Sequence, residues 1–237
     1  MPPSKGLYPD ELPSTKPAAI LFDIDGTLVH SDPIHFAVFQ ELFLEIDGFN
    51  DNKPIDNHFF LEHISGRHNE IIMGNLFPTW PIEKQIEWSA HKEYRFREMA
   101  SASMKESKVD GLDRLRLWVD RQEIPKAAVT NAPRLNAEAI IGGIGYDGWF
   151  DTLVIGEECE RAKPDPCPYL VACKTLGVDV SECIVFEDSP SGARAGKAAG
   201  ATVVGVLTSQ KEETLLEAGC AMVIDSFDDP KLWKLLS

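Results

Sequence analysis

The chain has 237 residues, of which 43% are hydrophobic and 26% charged, a composition that excludes collagen-like, low-complexity and disordered proteins. Its length fits one large domain or two small ones. The 23 basic and 38 acidic residues give a net charge of −15, which disfavours nucleic acids and anionic membranes as partners because clustered Lys and Arg hold both.

Residues 1–17 are rich in proline and lack hydrophobic periodicity, so we expect a mobile tail there. The tail has no apolar run of the kind found in secretory signals, and the chain has no run as long as a membrane span. The 5 cysteines are an odd number without a CxxC pair, which indicates reduced thiols. A cytoplasmic protein is the resulting prediction.

Short apolar runs recur along the chain and are typical of strands buried on both faces of a parallel sheet. They occupy residues 18–22, 126–130, 152–156, 183–187, 202–206 and 222–225. Helical patterns alternate with the later runs, at Gly111–Gln122, Pro166–Leu176 and Ser189–Ala199. This alternation predicts βαβ units and an α/β fold with a parallel-sheet core.

Residues 32–105 interrupt the alternation because they contain no short apolar run. Their pattern predicts helices at Pro33–Ile46, Asn57–Ile64, Asn69–Phe77 and Ile82–Met104. We therefore predict a helical domain inserted after the first strand, between core segments 18–31 and 106–237.

Polar residues with complementary chemistry end several of the predicted strands or follow them closely. They are Asp23, Asp25, Thr130, Lys163, Glu187 and Asp188. In open α/β sheets ligands bind beyond the carboxyl ends of the strands, so we expect these side chains to meet there.

This set of residues predicts phosphoryl transfer assisted by a metal ion. The carboxylates of Asp23, Glu187 and Asp188 suit Mg²⁺, which prefers hard oxygen ligands. Asp23 is a candidate nucleophile, since carboxylates form aspartyl-phosphate intermediates. Asp25 is two residues further on and would point the same way in extended backbone, where it could act as acid and base. Thr130 and Lys163 could hold phosphate oxygens.

The motifs resemble those of the haloacid dehalogenase-like hydrolases, in the branch that contains β-phosphoglucomutase and sugar-phosphate phosphatases. They are Asp23-Ile24-Asp25-Gly26-Thr27, Val129-Thr130-Asn131, Lys163-Pro164-Asp165-Pro166 and Phe186-Glu187-Asp188-Ser189-Pro190-Ser191-Gly192. The resemblance spans residues 18–237 and implies a Rossmann-like core, a mobile helical cap and Mg²⁺ as cofactor.

The resemblance also implies individual roles. Asp23 would be the nucleophile, and Asp25 the acid/base whose backbone carbonyl also binds Mg²⁺. Thr130 and Lys163 would hold the phosphate, while the acidic pair Glu187–Asp188 would bind the metal. The second aspartate favours phosphoryl chemistry over dehalogenation, because a departing halide needs no proton.

Further candidates lie beside these motifs. Asn131 is a candidate phosphate or substrate contact because it follows the threonine at the strand end. His35 resembles a hinge histidine and Arg67 a cap arginine that grips a distal phosphate or sugar oxygen, a task suited to forked guanidinium donors. Lys92 is a weaker candidate in the same region.

The favoured prediction is a Mg²⁺-dependent phosphatase for small phosphate monoesters, in particular sugar phosphates. A phosphomutase is the main alternative, motivated by His35 and Arg67. A non-catalytic binding module is a remote alternative that predicts a damaged site. A small phosphorylated metabolite is the expected partner, and the family resemblance suggests a monomer.

Overall fold

A computed structural model describes residues 16–237, so the predicted tail lies outside the described residues except for its last two positions. The described chain forms two compact units. The core unit comprises residues 16–30 together with Lys105–Ser237, and the helical unit comprises Ser31–Met104. The assignment of residues 32–105 as a cap domain stays a prediction.

The core unit is built on a parallel sheet. Its strands are β1 (Ala19–Phe22), β2 (Lys126–Thr130), β3 (Thr152–Ile155), β4 (Cys183–Glu187), β5 (Thr202–Val206) and β6 (Met222–Ile224). They lie in the order β3-β2-β1-β4-β5-β6, and every neighbouring pair is parallel. The predicted α/β fold with a parallel-sheet core is confirmed.

The centre of the sheet is apolar on both faces. All 4 residues of β1 are buried, and so are all 5 of β4. Phe22 pairs with Phe186 across these strands, and their rings stack with centroids 5.4 Å apart. Burial on both faces explains why these strands read as continuous apolar runs in the sequence.

Helices alternate with strands β2 to β6 of the core unit. They are α5 (Leu112–Arg121), α6 (Arg134–Gly143), α7 (Cys167–Leu176), α8 (Pro190–Ala199), α9 (Glu212–Ala218) and α10 (Pro230–Leu235). The sequence predicted α5, α7 and α8 to within a residue at each end. It did not predict α6, α9 and α10, because α9 and α10 are short and α6 ends in two glycines, which weaken a helical pattern.

The helical unit contains α1 (Asp32–Leu44), α2 (Asn57–His63), α3 (Asn69–Leu76) and α4 (Ile82–Ser103). Its core is aromatic: Phe43 lies 5.3 Å from Phe39, 5.2 Å from Trp88 and 5.8 Å from Phe77, measured between ring centroids. The predicted helices are confirmed with small differences at their ends.

Within residues 16–237, no helix combines the length and apolar character needed to span a bilayer.

Candidate active site

The strand order places two acidic segments at the natural ligand crevice of the sheet. The order reverses between β1 and β4, and ligands of open α/β sheets bind outside the carboxyl ends of the strands at such a point. Asp23 follows β1, while Glu187 ends β4 and Asp188 comes next. The amide of Asp23 donates to the carbonyl of Phe186 over 3.0 Å, which holds the two segments side by side.

The turn after Asp23 packs directly against Asp188. Gly26 has φ +75°, and a Cβ there would lie 2.0 Å from Asp188 Oδ2, so only glycine fits this conformation and this space. Next to it, the buried Thr27 hydroxyl lies 3.4 Å from Asp188 Oδ1. The close approach explains the glycine of the first motif.

Lys163 joins the two acidic segments. It lies in the loop after β3 and is 5% exposed. Its Nζ donates over 2.7 Å to each of Asp23 Oδ1, Glu187 Oε1 and the Val129 carbonyl. An ammonium group has three protons, so these contacts use all of its donors. Lys163 therefore positions Asp23 and neutralises part of the acidic charge.

Glu187 is fully buried and its carboxylate is held from several sides. Oε1 accepts from Lys163 and from the Tyr169 hydroxyl, each over 2.7 Å. Oε2 accepts from the backbone amide of Ser189 over 3.2 Å and from its hydroxyl over 3.0 Å. Gly192 in α8 lies so close that a Cβ would be 1.6 Å from Oε1. The position of Glu187 is thus fixed by its hydrogen bonds and by packing.

The electrostatics of the cluster show an excess of negative charge. Burial raises the pKa of Asp23 well above its ordinary value; Lys163 opposes this rise and Glu187 adds to it. Burial alone would lower the pKa of Lys163, but Asp23 and Glu187 outweigh it and raise that pKa. Burial and Glu187 raise the pKa of Tyr169, which keeps the phenol protonated as a donor. The single ammonium group of Lys163 therefore cannot neutralise all the carboxylates of the cluster.

The donor set fits a hard divalent cation. Asp23, Glu187 and Asp188 each offer a carboxylate oxygen, and these atoms lie within 4.8 Å of one another. Oxygen ligands of this kind suit Mg²⁺, and a cation would relieve the repulsion among buried carboxylates. The Glu187 carboxylate accepts from Lys163, Tyr169 and Ser189, so it would have to exchange one of these hydrogen bonds to bind the metal.

The second motif lies at the end of β2. Thr130 is buried and its hydroxyl oxygen accepts from the Ala132 amide over 2.9 Å, so the hydroxyl proton is available to a phosphate oxygen. The Asn131 side chain instead spans the backbone of Lys163: it donates to the Lys163 carbonyl over 3.0 Å and accepts from the Lys163 amide over 3.1 Å. Asn131 therefore positions Lys163, and a contact with substrate stays a prediction.

The structure brings two of the candidates in the helical unit together. His35 on α1 stacks on Phe96 with centroids 4.1 Å apart, and its Nδ1 lies 3.1 Å from Lys92 Nζ. Lys92 is 4% exposed and donates to Glu93 over 2.9 Å. Arg67 is exposed in the turn between α2 and α3. Substrate contacts of His35 and Arg67 stay predictions.

Three residues of the core site were missed by sequence reasoning. The Tyr169 hydroxyl holds Glu187, the Ser209 hydroxyl lies 2.5 Å from Asp188 Oδ2, and the Thr208 hydroxyl donates to the Gly26 carbonyl. Thr208 and Ser209 directly follow β5, so the rule that marks polar residues at strand ends as ligand-binding candidates applies to them as well.

Comparison with known proteins defines the class. The family model described as haloacid dehalogenase-like hydrolase matches residues 17–200, which is most of the chain. The chain belongs to this family, and the resemblance stated from the motifs is confirmed. It is therefore an enzyme of the hydrolase class.

Individual relatives agree with this assignment. The chain is 32% identical to validoxylamine A 7'-phosphate phosphatase of Streptomyces hygroscopicus subsp. limoneus, over 84% of this chain and 89% of that protein. It is 28% identical to fructose-1-phosphate phosphatase of Escherichia coli, over 80% and 96%. Among solved structures, a family IA, variant 3 HAD hydrolase from Entamoeba histolytica superposes with a TM-score of 0.77 at 27% identity, covering 92% of this chain and 97% of that one.

Proposed function

We propose that this hydrolase is a Mg²⁺-dependent phosphatase that removes the phosphate from small sugar phosphate monoesters. The observation that carries the proposal is the position of Lys163, whose Nζ lies 2.7 Å from both Asp23 and Glu187 at the β1–β4 crevice. The names of the relatives support the substrate class, since each acts on a phosphorylated small molecule.

Three parts of the chain would hold the metal: Asp23, Asp188 with its neighbour Glu187, and the backbone carbonyl of Asp25. When bound, Mg²⁺ neutralises charge on the phosphoryl group and on the surrounding carboxylates.

Asp23 performs the first half of the reaction. A carboxylate oxygen of Asp23 attacks phosphorus, the bond from phosphorus to the ester oxygen breaks, and an aspartyl-phosphate forms. The departing alkoxide takes a proton from the Asp25 carboxylic acid. Lys163 holds Asp23 in one orientation throughout, and the Thr130 hydroxyl donates to a phosphate oxygen.

Asp25 performs the second half. Its carboxylate, left without the proton, removes a proton from water as that water attacks phosphorus of the aspartyl-phosphate. The bond from phosphorus to Asp23 breaks, inorganic phosphate leaves, and Asp25 is again protonated. Each turnover therefore restores both aspartates.

A panel of sugar phosphates incubated with Mg²⁺ tests the function. We expect inorganic phosphate to be released from at least one ester and the release to stop when a chelator removes Mg²⁺. Glucose 1-phosphate with a bisphosphate activator tests the phosphomutase alternative, which predicts glucose 6-phosphate without net phosphate release. No turnover of any ester, including a generic aryl phosphate, would contradict the proposal and favour a binding module. The monomeric state and the cytoplasmic location stay predictions.

A further inference from the structure

Two hydroxyl groups in the loop after β5 connect the two halves of the proposed metal site. They belong to Thr208 and Ser209, which we call the hydroxyl clamp. We propose that this clamp positions Asp188 and the turn after Asp25 for Mg²⁺, and so sets the affinity of the metal site. The inference rests on the proposed function, because it takes Asp188 and the backbone carbonyl of Asp25 as metal ligands.

Ser209 fixes the rotation of the Asp188 carboxylate. Its Oγ lies 2.5 Å from Asp188 Oδ2 and 3.2 Å from the backbone carbonyl of the same residue. A hydroxyl has a single proton, so the shorter contact is the main hydrogen bond. On the other side, the Thr27 hydroxyl lies 3.4 Å from Oδ1. A carboxylate oxygen has more than one acceptor site, so a hydrogen bond to it does not prevent it from binding a cation.

Thr208 fixes the other half of the site. Its hydroxyl donates to the carbonyl of Gly26, the residue next to Asp25. In the sheet β4 lies between β1 and β5, so Thr208 reaches across the end of β4 to the turn that follows β1. The spacing between Asp188 and the backbone of the Asp25 turn therefore depends on this third loop.

The loop itself is anchored to the neighbouring strand. The amide of Leu207 donates to the carbonyl of Ile224 at the end of β6 over 2.9 Å, and the amide of Thr208 donates to Val206 over 3.0 Å. These backbone bonds hold the Thr208 and Ser209 side chains on the side of the site. Because the loop is fixed to the sheet, the hydroxyl clamp holds Asp188 and the turn after Asp25 in fixed positions.

The clamp acts on binding more than on folding. Ser209 is exposed, so water can replace its hydroxyl without leaving a buried polar group unsatisfied. Asp188 is 6% exposed, and without Ser209 its carboxylate loses one of the hydrogen bonds that orient it, so that metal binding has to supply this part of its ordering. Loss of a hydrogen bond that orients a metal ligand weakens metal affinity by about 10- to 100-fold.

Calorimetric titration of Mg²⁺ into the substrate-free protein tests the inference without using activity. Ser209→Ala should weaken Mg²⁺ binding by about 10-fold or more, and Ser209→Thr, which keeps the hydroxyl, should restore affinity to within about 2-fold of the original. Thr208→Val should weaken binding in the same direction and carries the test if Ser209→Ala does not fold.

Ser226→Ala is the matched control. Ser226 lies just after β6 at the same edge of the sheet, and its hydroxyl accepts from the Asp228 amide over 3.3 Å. Its removal should leave Mg²⁺ affinity unchanged. The inference is overturned if Ser209→Ala binds Mg²⁺ as tightly as the unaltered protein, or if Ser226→Ala weakens binding equally. Failure of the unaltered protein to bind Mg²⁺ overturns the proposed function as well, so the two failures are distinguishable.

Discussion

The two units each bury a lysine, and the surroundings of the two lysines differ. Lys163 in the core unit is 5% exposed and donates to Asp23, Glu187 and a backbone carbonyl. Lys92 in the helical unit is 4% exposed and contacts one carboxylate, that of Glu93, besides a histidine and aromatic rings.

The difference lies in charge balance. Lys92 and Glu93 form a pair whose charges cancel, which is typical of a structural ion pair. Lys163 faces more negative charge than it can neutralise, because Asp188 and Asp23 accompany Glu187 within one cluster. An unbalanced buried cluster is unfavourable unless a cation or a reaction uses it, so the charge balance favours the Lys163 cluster over the Lys92 pair as the site of chemistry.

Asp23→Asn is expected to have the largest effect. Removal of the nucleophilic carboxylate should lower the turnover number by about 10⁴-fold or more. The free energy of unfolding without metal should not fall, because the substitution removes one charge from a crowded cluster. Phosphate release and urea unfolding measure the two quantities. Asp228→Asn, at a side chain that is 53% exposed, is the control and should change neither. Near-normal turnover by Asp23→Asn would remove Asp23 from the role of nucleophile.

Lys163→Met should cause the next largest change, now in stability. It leaves buried carboxylates without their ammonium partner, which should lower the free energy of unfolding by about 3–5 kcal/mol. Lys126→Met is the control, because Lys126 pairs with a half-exposed Asp151 over 3.6 Å and should cost less than about 1 kcal/mol. Urea titration compares the two variants. Equal losses of unfolding free energy in the two variants would mean that Lys163 stabilises the buried carboxylates no more than an exposed ion pair does.

Lys92→Met sharpens the comparison within the helical unit. It should lower the free energy of unfolding by about 2–3 kcal/mol, less than Lys163→Met, because one carboxylate instead of several loses its partner and the methionine packs against Phe39 and Phe96. The same urea titration measures it. If Lys92→Met lowered the free energy of unfolding as much as Lys163→Met, the two lysines would not differ in their electrostatic surroundings as described.

Glu93→Gln should have the smallest effect, visible as pH dependence. Burial alone would raise the pKa of Glu93, but Lys92, together with a hydrogen bond from Asn69, outweighs burial and holds that pKa below its ordinary value. A carboxyl with a lower pKa in the folded chain stabilises it above the unfolded pKa and loses this contribution as the pH falls.

Unfolding in urea at about pH 7 and about pH 4 measures this effect, because an unfolded glutamate, whose pKa is about 4.3, is ionised at the first pH and mostly protonated at the second. The unaltered protein should lose stability towards the lower pH, and Glu93→Gln should lose less. Glu62→Gln, at a glutamate that is 57% exposed, should lose as much as the unaltered protein. Identical losses in all three proteins would contradict a lowered pKa of Glu93.

Those residues of the core site that lie at the ends of strands could be predicted from the sequence. The apolar runs located the strands, and a parallel sheet brings Asp23, Thr130 and Glu187 to one edge without further information. The sequence could not show that all donors of Lys163 are occupied by protein acceptors, or that Asn131 holds the Lys163 backbone. Such contacts depend on side-chain orientation, which periodicity does not encode.

Other features lacked a local signal altogether. Tyr169 sits on α7 among apolar residues, and only the fold turns its hydroxyl towards Glu187. Ser209 and Asp188 are 21 residues apart and belong to loops after neighbouring strands. In the helical unit, the contact of His35 with Lys92 joins residues 57 positions apart. The spacing of residues in the sequence therefore could not predict roles that depend on contacts with residues far away in the chain.

The covalent intermediate on Asp23 is the central claim, and peptide mass spectrometry after rapid acid quench tests it most directly. The protein is mixed with Mg²⁺ and a sugar phosphate that it hydrolyses, quenched during the first turnover and digested. We predict one added phosphoryl group on the peptide that contains Asp23, and none on that peptide from Asp23→Asn. A phosphoryl group on a different residue, or turnover that proceeds with Asp23 unmodified at every quench time, would contradict the account.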